Sequence, residues 1–229
     1  MSRTGEAAVE AALDRAVAAF RAGDPVLVHD FDDREAETDL IYPAGAVRAA
    51  DVARMRTDAG GLVCVALGAE VADAFELPFL AETIDHPAAE GHGDVGYDDR
   101  SSFSLPVNHR DTYTGVTDRD RALTIRELAA AAGAPGETDF AAEFRAPGHV
   151  NLLRAAPSFA ERRGHTELGV ALARAAGREP AVVVTEMLDA ATGEARTKAD
   201  ARAYARRHDL VFLEGADVVD GLGADGEYS

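Results

Sequence analysis

Residues 164–188 read GHTELGVALARAAGREPAVVVTEML. Leu168, Leu172 and Ala175 recur at helical spacing over Thr166–Ala176, and Gly177 supplies the stop. Pro180 then precedes the strongest strand signal in the chain, Ala181–Leu188, with three consecutive valines. A helix that feeds a buried strand predicts helices interleaved with a sheet. The flanking sequence repeats the alternation. Toward the N-terminus, Val9, Leu13, Val17 and Phe20 predict a helix over residues 6–22, closed by Gly23 and Pro25. Val26–Val28 reads as a strand, 45–58 as a helix, Leu62–Leu67 as a strand, 81–100 as an acidic Pro/Gly loop or lid, and Ser101–Val107 as a strand. Thr124 to Glu127 fits a capping box that opens a helix ending near Gly133, and Val150–Leu153 reads as a strand. Toward the C-terminus, Gly193 marks a turn, a helix spans about 199–208, a strand covers Leu210–Leu213, and the tail GADGEYS frays.

The 229 residues carry 23 basic and 41 acidic side chains, a formal charge of −18. Such a field repels nucleic acid and anionic membranes, so neither is an expected partner. No apolar run reaches the roughly 18 residues of a membrane span, and no signal peptide opens the chain, so a cytoplasmic protein is expected. Cys64 is the only cysteine and excludes an internal disulfide. Lys198 is the only lysine; that and the excess of acids fit either a salt-rich cytoplasm or a GC-rich codon bias. No GxGxxG or GxxxxGK[ST] occurs, which removes the usual dinucleotide and P-loop readings.

Chemistry concentrates in a few places. Asp30-Phe-Asp-Asp-Arg-Glu-Ala-Glu-Thr-Asp39 packs six carboxylates around one arginine. If extended, Asp33, Glu35, Glu37 and Asp39 share a face, and their mutual repulsion favours a hard divalent cation; a solvated acidic loop is the alternative. Arg162-Arg-Gly-His-Thr-Glu167 stands at a helix start suited to phosphate, although a capped helix with a surface histidine has the same pattern. Ala146-Pro-Gly-His149 predicts a turn exposing a histidine. Thr185-Glu186 ends the valine-rich strand, where burial would raise the acid's pKa, although a strand-end glutamate facing water has the same pattern. A further polar cluster spans Thr114–Thr124.

In this order, these motifs resemble the 3,4-dihydroxy-2-butanone 4-phosphate synthase family. The likeness extends to Gly-Gly-Leu-Val-Cys at 60–64, Leu-Pro at 77–78, Ser-Ser-Phe-Ser at 101–104, Thr-Gly-Val-Thr at 114–117 and Asp-Arg-Ala-Leu-Thr-Ile at 120–125, over about residues 7–219. The chain departs from the common bacterial form at Ala146 and at Pro157-Ser-Phe159, and resembles the archaeal branch at 81–100 and at Asn108-His-Arg110. No Cys-rich zinc motif of the fused cyclohydrolase follows, which implies a monofunctional enzyme.

The resemblance implies an α+β single domain over 1–229, a mixed sheet with surrounding helices, and a cytoplasmic homodimer with active sites near the interface. It implies a lyase of riboflavin biosynthesis that converts D-ribulose 5-phosphate to L-3,4-dihydroxy-2-butanone 4-phosphate and formate. Carried over residue by residue, it implies that Glu35 and His165 bind magnesium or manganese. Arg34, Asp39, Arg162, Thr166 and Glu186 would hold the sugar phosphate, and Glu37, His149 and Glu186 would move protons. Cys64 would line the pocket or simply fill the core. Two rivals stand beside this reading: another metal-dependent sugar-phosphate lyase or isomerase on the same scaffold, and a non-catalytic acidic binding protein.

Overall fold

The computed structural model describes residues 3–87 and 101–223. The chain runs α1 (Arg3–Ala22), β1 (Val26–His29), β2 (Thr38–Pro43), a 3-10 turn (Ala44–Ala46), α2 (Ala49–Asp58), β3 (Cys64–Leu67), α3 (Ala69–Ala74) and α4 (Leu80–Thr83). It continues through β4 (Phe103–His109), α5 (Asp118–Gly133), α6 (Phe140–Glu143), β5 (Phe144–Arg154), α7 (His165–Ala175), β6 (Ala181–Glu186), α8 (Lys198–Arg207), β7 (Val211–Glu214) and α9 (Gly215–Leu222).

One seven-stranded mixed sheet, in the order β4-β5-β3-β6-β2-β1-β7, organises these elements. The β3–β5 and β1–β7 pairs are parallel and the others antiparallel. Strand alternation divides the apolar side chains between two cores. Leu27, Leu40, Tyr42, Val65, Leu67, Val183, Val150 and Leu152 face the side that receives residues of α2, α5 and α8. Val28, Ile41, Cys64, Ala66, Val182, Val184 and Leu153 face the side that receives α1, α7 and α9. Apolar burial on both faces explains why β6 reads as an unbroken valine run rather than an alternation.

Several expectations change. The acidic segment is not an extended ladder: residues 31–37 fold back as a turn closed by Asp30 N–H donating to Glu37 O (2.8 Å), with Ala36 at φ +57°. Only Asp39 of the four carboxylates lies on a strand, and Leu40–Pro43, too short a run to announce itself, continues that strand as β2. The capping box at Thr124 does not form. Thr117 caps α5 instead, its Oγ1 accepting from Asp120 N (3.1 Å), while buried Thr124 accepts from His109 N (3.0 Å) and ties α5 to β4. The Pro-Gly turn at 146–149 is absorbed into β5, where Val107 pairs with Val150 and Asn108 with Arg145, so residues 146–149 form a wide bulge. Helices α3 and α9 had no clear sequence signal. Of the expected 81–100 loop, 81–83 belong to α4 and 88–100 lie outside the described residues, as do residues 224–229 of the tail.

Candidate active site

Cross-strand pairing assembles the floor of the site. Asp39 on β2 pairs with Glu186 on β6, and Cys64 on β3 pairs with Val184. Asp39, Glu186 and Cys64 all project toward α7 because each stands two residues from a side chain in the α7-side core. The N-terminus of α7 rests over them, presenting His165 and Thr166. Ser101–Phe103 and Leu62 complete a cleft of about 500 Å³.

The 30–37 turn supplies the third wall, and its own hydrogen bonds hold it. Asp30, whose carboxylate is fully buried, accepts from the Phe31 amide (2.7 Å) and from Arg34 Nη1 (2.5 Å). Arg34 also contacts Glu35 at 3.0 Å. Its guanidinium lies flat against Gly164, where a Cβ would come within 2.9 Å of it. Behind the turn, His29 spans Thr38 Oγ1 (2.9 Å) and Asp32 (3.3 Å), and Lys198 clamps Asp32 to Glu214 at 3.0 Å each.

Eight of the nine residues expected from the sequence line this one cleft: Arg34, Glu35, Glu37, Asp39, Arg162, His165, Thr166 and Glu186. His149 does not. It sits exposed on the β5 bulge, its amide donating to Asn108 Oδ1 (2.9 Å) and its ring within 3.2 Å of the same side chain. Cys64 does line the cleft, but burial pushes its thiol up to about 12, which excludes a thiolate nucleophile near neutrality.

His165 Nδ1 faces Glu35 at 3.4 Å, Asp39 at 3.8 Å and Asp30 at 4.0 Å. Burial alone would lower the imidazole pKa, but Asp39 and then Glu35 outweigh it and raise it to about 9. Burial raises Asp39 to about 6 against the pull of His165. Glu37 rises to about 7 through burial and the adjacent Glu186 charge. Asp30, Glu35 and His165 bring donor atoms within 4.8 Å of one another. His165 Nε2 is buried without a hydrogen-bond partner among the described residues. Hard oxygens in excess over one imidazole fit magnesium or manganese rather than a soft metal. Asp30 is the candidate ligand that sequence reasoning missed; its signal is the buried pairing with Arg34, invisible without the turn.

A mixed sheet whose cleft sets carboxylates and a histidine beside Arg34 and Arg162 defines an enzyme that handles an anionic substrate with a divalent cation. Residues 14–220 match the family described as 3,4-dihydroxy-2-butanone 4-phosphate synthase, and the chain belongs to that family. It is 48% identical over 220 residues to the synthase of Archaeoglobus fulgidus, covering 91% of this chain and 92% of that protein. It is also 48% identical over 221 residues to the synthase of Methanosarcina mazei, covering 91% and 90%. A crystal structure of a 3,4-dihydroxy-2-butanone 4-phosphate synthase in complex with two magnesium ions superposes with a TM-score of 0.75 at 32% identity, covering 94% of this chain and 98% of that one.

Proposed function

We propose that this chain is a magnesium-dependent lyase that converts D-ribulose 5-phosphate to L-3,4-dihydroxy-2-butanone 4-phosphate and formate, the committed four-carbon supply for riboflavin. The observation that carries the proposal is the convergence of eight expected residues, from three separate segments, on one cleft. Glu35 and His165 hold the cation, joined by Asp30. When bound, that cation polarises substrate oxygens and offsets negative charge that builds on them. Arg162 and Thr166, at the start of α7, hold the phosphate, with Arg34 and Asp39 beside the sugar hydroxyls. Burial and the neighbouring Glu186 charge raise Glu37 to about 7, so it can take up and give back a proton near neutrality, which suits a chemistry of repeated proton transfers at adjacent carbons. Manganese substitutes for magnesium because the donors are the same.

The protein acts as a homodimer, with one catalytic domain per chain over about residues 7–219. Two observations support this: His149 is exposed outside its own chain's cleft, and Leu62, Phe103, Tyr113 and Val116 are large apolar side chains left exposed. A cytoplasmic setting agrees with the described helices, none of which is long and apolar enough to cross a membrane. The acidic surface suits a salt-rich cytoplasm. The test is purified protein with D-ribulose 5-phosphate and magnesium, scored for formate. Turnover that stops on chelation and returns with magnesium supports the proposal; full turnover after exhaustive chelation overturns it, and no turnover under any cation favours a binding protein.

A further inference from the structure

Glu167 is fully buried one turn into α7, yet it is absent from the cleft lining and has no part in the chemistry above. Three donors converge on its carboxylate. Ala156 N donates to Oε1 (2.9 Å), while Gly164 N (2.8 Å) and Arg162 Nη1 (2.7 Å) donate to Oε2. The two amides bracket the stretch 156–164, and Arg162 lies inside it with its side chain in the cleft. One buried anion therefore closes the connection between β5 and α7, satisfies the α7 start and grips one amino group of Arg162.

We propose that Glu167 is a positioning residue that aims Arg162 at the substrate phosphate. The proposal rests on the reading of Arg162 as a phosphate ligand. An arginine offers five donors in a planar fork, so Nη1 can be fixed on Glu167 while the remaining edge serves the cleft. Without that anchor a long, rotamer-rich side chain must be ordered at each binding event, and affinity falls. A bare electrostatic role makes the opposite demand. Glu167 places negative charge near the phosphate, so removing the charge would tighten phosphate binding if position did not matter. The sign of the effect separates the two.

Glu167→Gln is the informative variant: with its carbonyl turned to the side of Gly164 N and Arg162 Nη1 it sets NH2 against Ala156 N–H, and in either orientation it loses the charge-assisted bond that fixes the guanidinium. The experiment measures formate release from D-ribulose 5-phosphate with magnesium present, and inhibition by inorganic phosphate. The expected result is a rise of about tenfold or more in both KM and the phosphate inhibition constant, with kcat within about twofold. The double variant Arg162→Ala/Glu167→Gln should be no weaker than Arg162→Ala alone. Arg162→Lys leaves Glu167 intact and tests the idea even if Glu167→Gln fails to fold. A lysine has one ammonium, which Glu167 would draw off the cleft, so KM should rise nearly as far as in Arg162→Ala. Tighter phosphate binding in Glu167→Gln, multiplicative losses in the double variant, or a parental KM in Arg162→Lys would each overturn the positioning role while leaving Arg162 as a ligand. An Arg162→Ala variant with parental KM and phosphate inhibition would overturn both readings together.

Discussion

Gly164→Ala puts the packing of Arg34 to a direct test. The backbone at residue 164 has φ −92° and ψ −179°, which any residue adopts, so the substitution brings no conformational strain. It brings crowding. The new Cβ would stand 2.9 Å from Cζ, Nη1 and Nη2 of Arg34, against 3.4 Å or more in ordinary contact, so the guanidinium must retreat by about 0.5 Å. That retreat stretches the 2.5 Å bond to Asp30, whose carboxylate has no exposure to water as compensation. Overpacking costs about 1–3 kcal/mol, which for a chain of this size lowers Tm by about 2–4 °C for each kcal/mol. Displacing Arg34 within the cleft should also reduce turnover by about tenfold or more. Calorimetric melting and formate release check both effects. Gly136→Ala, where an added Cβ meets nothing within 4 Å, serves as the control. In an Arg34→Ala background the Gly164→Ala penalty should vanish. A Gly164→Ala protein that melts and turns over like the parent would refute the claim that Arg34 is held against the α7 start.

Three further outcomes are expected. Asp39 and His165 bind protons more tightly in the folded chain, so their contribution to stability is complete below about pH 4 and pH 6.5 respectively and is lost as pH rises through about 6 and about 9; cation-free protein should therefore lose Tm from pH 5 to 8, and magnesium should flatten that slope. With 41 acids against 23 bases, Tm should climb from low to molar potassium chloride as screening shortens below roughly 10 Å, and a flat curve would leave codon bias as the source of the composition. If His149 acts from a second copy, mixing the separately inactive His149→Ala and Glu186→Gln proteins should restore part of the formate release, whereas continued inactivity of dimers shown to have exchanged subunits would place His149 outside the reaction.

The elements legible in the sequence were those whose signal is local. Val182–Val184 announces β6, and Gly177 with φ +67° announces the end of α7. Strand β2 was obscured because Leu40–Tyr42 is short, follows six carboxylates and ends on Pro43. Nothing in Ala36 demands the positive φ that folds the acidic run back, so the run read as a ladder. Two Thr-x-x-acid patterns compete for the start of α5. Thr117 wins because Asp120 is also needed by the amides of Thr114 and Gly115, a contact that no local pattern reveals. In the site, Glu35 and His165 stand 130 residues apart in the chain, and family resemblance rather than spacing brought them together. Asp30 and Glu167 escaped because their importance lies in what they hold: one a guanidinium, the other the start of a helix.

The pairing of Asp39 with Glu186 also bears on how the molecule comes into being. These strands meet across nearly 150 residues of chain, and β3 and β5 enter beside them from positions between. Closing loops of that length is entropically costly, and a sheet dominated by such pairings belongs to the slow end of the folding scale. The stretch 34–39, which emerges early from synthesis, carries four of the cleft residues but cannot close the site alone. The acidic turn is made first and must wait, its charges in water, until the last third of the polypeptide delivers the histidine and the arginine that give it a purpose.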